Sequence, residues 1–233
     1  SCRMNPFKGL TTGEAIELLA RQHGDRLALS FHGRDWTFAQ IRDEVAAAAA
    51  RLHSLGIGAG DKVAVWLPNR PEFLWYWLGA GWLAAVAVTP NTRLQPKEFV
   101  YQIDQSDSKA VIVPGGTDYR DFLGDLAGVC PELVAGTPGA LNCAALPKLR
   151  HVVALDPFDA KYKGVTDWSG PAGTLPAAPR ASDPLAPSLI AYSSGTTALP
   201  KGAMLHHSVF RKAWDHGERF NQTADDCLYL CVP

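Results

Sequence analysis

The segment KVAVWLPNRPEFLWYWLGAGWLAAVAVTPNTRLQPKEFVYQIDQSDSKAVIV, residues 62–113, decides the fold. It opens on a short apolar run that Pro68 ends, followed by a helix-length stretch that starts near Arg70 and carries Trp75, Tyr76 and Trp77. A second apolar run, Val86–Val88, is followed by a predicted helix over Pro96–Gln105 and then by the strand Lys109–Val113. Short runs that are apolar throughout, without polar alternation, are what strands covered on both faces require. Their alternation with helices predicts an α/β fold, a mainly parallel sheet flanked by helices.

Upstream, Thr11 and Glu14 stand at capping-box spacing ahead of Ile16, Leu18 and Leu19, which predicts a helix over Thr12–His23. The runs Leu27–His32 and Asp35–Thr37, split by Gly33 and Arg34, read as a small hairpin. Thr37 and Gln40 repeat the capping pattern for a helix that contains five consecutive alanines and stops at Gly56. Downstream, a helix is expected near Asp118–Leu126 and a strand at His151–Leu155. Between Asp156 and Pro187, proline and glycine without periodicity read as a surface linker. The expected division is a first α/β subdomain over residues 1–180 and the start of a second over 181–233.

With 47% hydrophobic and 19% charged residues, the chain can bury a large core. Twenty-two basic residues against 23 acidic ones, with no basic stripe, argue against nucleic acid as a partner. The apolar stretch Phe73–Val88 is shorter than the roughly 20 residues that cross a bilayer, so it predicts a buried helix running into a buried strand and no transmembrane segment. The aromatic residues within it, and Trp82, are expected to be core packing rather than an acyl-binding wall. The opening stretch SCRMNPFKGL has no apolar run of signal-peptide length, so secretion is not expected, and Ser1–Arg3 before Met4 resembles a cloning remnant. Five cysteines without a CxxC pair or histidines at ligand spacing predict reduced thiols in a cytoplasmic protein and no metal site. Cys227 and Cys231 are expected on one face of a strand.

Chemistry converges on Leu189–Phe210, LIAYSSGTTALPKGAMLHHSVF. An apolar strand runs into Ser193, Ser194, Gly195, Thr196 and Thr197 and then into Pro200-Lys201-Gly202. Small side chains let backbone N–H groups approach phosphate oxygens, hydroxyls add donors, and an ammonium neutralises charge. The P-loop of nucleoside triphosphatases has the same length from Gly195 to Lys201. That reading fails because Pro200 replaces the glycine before the lysine and Gly202 replaces the magnesium-holding hydroxyl.

The stretch YSSGTTALPKGAMLHH, Tyr192–His207, resembles the phosphate-binding signature of adenylate-forming enzymes, the superfamily of acyl-CoA ligases, peptide-synthetase adenylation domains and beetle luciferases. Residues 36–113 are similar to the N-terminal region of that family. The segment CPELVAGTPGALNCAALPKLRHVVAL, residues 130–155, looks more like fatty-acyl-CoA synthetases than amino-acid-activating domains. The resemblance implies that the chain is the N-terminal part of an acyl-CoA ligase, which joins a carboxylic acid to ATP as an acyl-adenylate and then to coenzyme A. Alternatives of another kind are an amino-acid adenylation domain and a non-catalytic nucleotide-binding module.

By the same resemblance, Ser193, Ser194, Gly195, Thr196 and Thr197 would enclose the β- and γ-phosphates of magnesium-bound ATP and Lys201 would pair with them, while Pro200 and Gly202 shape the turn. His207 would line the approach to the acyl pocket, at the start of a helix running to about Phe220, and His206 would stand at the cap of that helix. Ala198 departs from the usual glycine; where that position takes φ > 0, alanine costs about 1 kcal/mol. The magnesium- and adenine-binding motif, the ribose-binding aspartate and the catalytic lysine of the family fall beyond Pro233. The chain alone is therefore expected to be inactive, to hold no catalytic residue of its own, and to present an apolar surface able to form a homodimer.

Overall fold

The computed structural model describes residues 4–181, 183–193 and 199–230. Helix α1 (Thr12–His23) is followed by the antiparallel hairpin β1 (Leu27–Phe31) and β2 (Arg34–Thr37), and by helix α2 (Phe38–Ser54). The alternating part comprises β3 (Lys62–Val65), α3 (Pro71–Trp82), β4 (Val86–Val88), α4 (Pro96–Gln105) and β5 (Ser108–Val113). Then come the short helices α5 (Phe122–Ala127) and α6 (Glu132–Ala135), strands β6 (His151–Ala154), β7 (Thr166–Asp167), β8 (Pro187–Tyr192) and β9 (Gly202–His206), and helix α7 (Val209–Arg219).

Seven strands form one sheet in the order β7-β6-β5-β3-β4-β8-β9. Every neighbouring pair is parallel except β8 with β9. Because side chains alternate along a strand, each central strand feeds two cores. Val63, Val65, Ala110 and Ile112 face α2 and α3, whereas Ala64, Val111 and Val113 face Phe99, Ile103, Phe122 and Leu126. Each fully buried Val, Ile or Phe contributes about 1.5–3 kcal/mol. Strand β8 lies beside β4 in register Ala87↔Leu189 and Val88↔Ile190, so residues on both sides of position 180 share the sheet.

The two expected capping boxes form, Thr11 with Glu14 and Thr37 with Gln40. The aromatic residues of α3 pack as core: Trp75 and Tyr76 are buried, Trp36 meets Trp75 edge-on at 5.8 Å, and Tyr76 stacks on Trp168 at 5.6 Å. Helices α2 and α3 approach closely at the alanine run, where a Cβ on Gly79 would lie 3.0 Å from both Ala48 Cβ and Ala49 N. Among the described residues, no helix is long and apolar enough to cross a membrane.

Four expectations need correction. The helix foreseen from Asp118 begins at Phe122, where the Asp121 carboxylate caps Gly124 N–H. Arg120 is spent instead on the carbonyls of Thr92 and Leu94 and on Asp125. The linker carries β7, which pairs Val153 with Thr166 and gives the sheet one more strand. An unforeseen strand, β9, follows the hydroxyl-rich loop and ends at His206, so that α7 starts only at Val209. Cys227 is exposed in irregular chain after the turn at Thr223–Asp226, with no strand beside it to pair with; Cys231 lies outside the described residues.

Helices α2 and α3 end alike. After α2, Gly56 N–H bonds His53 O and Ile57 N–H bonds Leu52 O, with Gly56 at φ 77°. After α3, Ala84 N–H bonds Gly81 O and Ala85 N–H bonds Ala80 O, but an alanine holds the left-handed position at φ 61°. This is the bonding of a Schellman cap, which favours glycine there. The left-handed conformation costs alanine about 1–2 kcal/mol, partly offset by the greater unfolded freedom of glycine. Ala84→Gly is therefore expected to raise unfolding free energy by about 0.5–1 kcal/mol, read from the urea midpoint at unchanged slope.

Candidate functional site

Strand β8 carries the chain to the edge of the parallel sheet and β9 returns antiparallel beside it, with Tyr192 opposite Gly202 and Ala191 opposite Ala203. The turn between them is the hydroxyl-rich loop. Ser194, Gly195, Thr196, Thr197 and Ala198 lie outside the described residues, whereas Ser193 and Leu199–Lys201 define its two limbs. Ser193 N–H donates to Lys201 O at 3.0 Å, and Lys201 N–H donates to Ser193 Oγ at 3.3 Å. The limbs are thereby closed at their base. Gly202 is needed there: a Cβ would sit 3.0 Å from Ile190 Cγ2 and 3.2 Å from Tyr192 Cζ.

Two further bonds hold the limbs to helix α4, Tyr101 Oη donating to Pro200 O at 3.2 Å and Tyr192 Oη donating to Gln102 O at 3.2 Å. Burial, and then the neighbouring Tyr101, raises the Tyr192 phenol above its ordinary range, so it remains a donor at neutral pH. Tyr192 opens the signature stretch, whereas Tyr101 was not foreseen, since it reads as an ordinary position of an amphipathic helix. Lys201 is exposed, and among the described residues its ammonium has no carboxylate partner. Its charge is therefore available to an anion arriving at the loop.

The two histidines part company. His206 is exposed on β9, its Nδ1 accepting from Ser208 N–H at 3.3 Å. His207 is 1% exposed, and its Nδ1 accepts the Thr12 backbone N–H at 3.0 Å with Thr12 Oγ1 2.8 Å away. An imidazole nitrogen that accepts is unprotonated, so neutral His207 carries its proton on Nε2, which is buried without a partner among the described residues. His207 thus helps cap the first turn of α1. The neighbouring cavity, bounded by Thr12, Trp77, Gly81, Ser188 and Leu205, measures about 20 Å³, room for one water and not for an organic acid.

Away from the loop, Cys130, Glu132 and Cys143 bring two sulfurs and a carboxylate oxygen within 4.8 Å of one another. The spacing of the cysteines did not foretell this, because twelve intervening residues fold between them. Both thiols are engaged, Cys130 Sγ with Glu132 Oε2 at 3.5 Å and Cys143 Sγ with Val129 O at 3.2 Å. Burial, and then the neighbouring Cys143, pushes the Cys130 thiol up, which fits its role here as a donor toward Glu132.

A loop of this composition, set at the end of a parallel strand with an exposed lysine beside it, occurs in a chain that matches the AMP-binding enzyme family over residues 16–233. The chain belongs to that family. Its relatives include the Bacillus subtilis protein YngI, 32% identical over 240 residues that cover 96% of this chain and 42% of YngI. The Mus musculus mitochondrial medium-chain acyl-CoA ligase ACSF2 is 30% identical, covering 96% of this chain and 38% of ACSF2. Among solved structures, the anthranilate CoA ligase AuaEII in complex with anthranoyl-AMP superposes with a TM-score of 0.67 at 25% identity, over 85% of this chain and 35% of that one. The chain thus spans about two-fifths of the length of the curated relatives it matches.

Burial, the first cause, and then the neighbouring His206 lower the pKa of His207, against Asp183 and Glu14, which raise it. The folded state therefore binds fewer protons than the unfolded chain, and stability rises with pH through this window. His207 contributes fully above the ordinary imidazole pKa of about 6.5, and its contribution is lost as pH falls below that value through the lowered folded one. His151, lowered by burial and then by Lys109, acts in the same sense, so the comparison must be with a variant. In His207→Asn, whose amide can keep an acceptor toward Thr12, the loss of stability below pH 6.5 should be shallower than in wild type, as read from urea midpoints at stepped pH.

Proposed function

We propose that this chain is the N-terminal part of an ATP-dependent acyl-CoA ligase and that its share of the reaction is to hold the triphosphate of ATP. The observation that carries this reading is the pairing of the closed Ser193–Lys201 loop base with an exposed Lys201 ammonium that has no carboxylate partner among the described residues. Ser193, Ser194, Gly195, Thr196 and Thr197 supply small donors to the β- and γ-phosphates, and Lys201 supplies the charge. The segment Tyr192–Gly202 carries no carboxylate, so it offers magnesium no anionic ligand, and the ion would arrive held by the triphosphate.

In the intact enzyme the acid's carboxylate attacks the α-phosphate, forming acyl-adenylate and releasing pyrophosphate; the thiol of coenzyme A then displaces AMP. Negative charge shifts toward the departing pyrophosphate, and donors fixed in advance around it lower that barrier. A medium-chain or fatty acid is the favoured substrate class. ACSF2, named for medium-chain acids, is 30% identical over 96% of the chain, against 25% over 85% for the anthranilate ligase. His207, capping α1, is offered as a wall residue of the acid's approach. A cytoplasmic setting fits the free thiols of Cys130 and Cys143. Met204 and Leu205 are exposed on β9, at the end of the sheet, and provide a surface for a homodimer.

Calorimetry of magnesium-ATP with the purified chain tests the reading. Lys201→Ala should weaken binding about tenfold or more, the loss of a charge-assisted contact of about 1.5–3 kcal/mol. Equal heats for wild type and variant would refute it. The chain alone should release no pyrophosphate from ATP and a medium-chain acid, and measurable release would refute the division of labour proposed here.

A further inference from the structure

Helix α4 meets both limbs of the loop through bonds that run in opposite directions. Tyr192, at the end of β8, gives its phenol proton to Gln102 O, a carbonyl that already accepts Ser106 N–H at 3.1 Å within the helix. Tyr101, one residue earlier on α4, gives its own to Pro200 O on the returning limb. Successive residues of one helix are therefore tied to the two sides of a hairpin eight residues wide at Ser193 and Lys201.

The bond to Pro200 has a specific mechanical consequence. The Pro200 carbonyl and the Lys201 N–H belong to one peptide unit, which is planar. Fixing the oxygen from the α4 side turns the N–H toward Ser193 Oγ, its acceptor at 3.3 Å. The same plane fixes the place of the Lys201 Cα, from which the side chain leaves the backbone. Only that planar peptide bond separates the Pro200 carbonyl from the Lys201 Cα, so little freedom remains between the Tyr101 anchor and the Lys201 Cα. The long lysine side chain is exposed and carries no ion pair among the described residues, so the place of its Cα is what limits where the ammonium can reach.

We propose that Tyr101 is a positioning residue for Lys201: with Tyr192 it clamps the two limbs of the hairpin to α4 and presets the place of the ammonium. The clamp joins described residues only. Its value for catalysis rests on the triphosphate reading above, and the test separates the two.

Tyr101→Phe keeps the ring and deletes only the hydroxyl. In hydrogen exchange followed by mass spectrometry on the full chain, the amides of Ser193 and Lys201 should exchange about two- to tenfold faster than in wild type, as expected for loss of one hydrogen bond. Tyr192→Phe should do the same from the opposite limb. The thermal midpoint and the exchange of β3 and β5 should stay unchanged. Tyr119→Phe, which removes a hydroxyl bonded to Thr92 instead, should leave the two loop amides as they are. Unchanged exchange at Ser193 and Lys201 in Tyr101→Phe, or acceleration spread evenly over the chain, overturns the proposal.

In the binding arm, Tyr101→Phe should weaken magnesium-ATP about two- to tenfold by calorimetry, less than Lys201→Ala. Equal affinity for wild type and Tyr101→Phe overturns the positioning role. A wild-type chain that binds no ATP overturns the triphosphate reading alone, and the exchange measurement then decides the clamp.

Discussion

The parallel pairing of β8 with β4 is the constraint on which the loop depends. Strand β4 is three residues long, all buried, and held on its other side by β3 in register Lys62↔Val86 to Ala64↔Val88. Only Ala87↔Leu189 and Val88↔Ile190 join it to β8. A slip of one residue there would turn Ile190 out of the core and Leu189 into the other face. Because Ile190 is nearly buried among Trp66, Phe99 and Ile103, that slip is resisted, and the point at which β8 gives way to Ser193 is fixed.

From that point the architecture is a chain of supports. The face of the sheet that packs α4 also seats Tyr192, and α4 is held there by Phe99, stacked on Trp66 at 3.6 Å between ring centroids, and by Ile103. The sheet thus supports the helix that supports the loop. The opposite face is closed by α2 and α3, whose small residues at Ala48, Ala49 and Gly79 allow near contact. Across the end of the sheet, Arg70 binds Glu72 and Asp156 together, tying the start of α3 to the chain leaving β6. Each carboxylate is about one-third exposed, so these ion pairs serve registration more than stability.

The first half of the chain was largely legible in its residues. Thr11 with Glu14 and Thr37 with Gln40 announced helix starts because capping is a local exchange of hydrogen bonds. The runs at 63–65, 86–88 and 110–113 announced a doubly covered sheet because no polar residue interrupts them. What escaped notice depended on distant partners. Strand β7 has two residues and exists because β6 offers an edge; β9 exists because β8 does. Arg120 left its expected helix for carbonyls that the fold brings near. The meeting of Cys130, Glu132 and Cys143 likewise comes from folding over a turn and not from spacing.

The sequence by itself determined the α/β class and the presence of donors and an ammonium suited to phosphate, because these follow from periodicity and residue chemistry within short windows, while the family was implied by the resemblance of YSSGTTALPKGAMLHH to a known signature. Tertiary structure alone decided what aims that chemistry. Tyr101 and Pro200 are 99 residues apart, as the Thr12 N–H and the His207 imidazole are 195 apart. A hydrogen bond requires its partners to lie within about 3.5 Å at a favourable angle, a condition on positions in space that no local pattern of residues encodes.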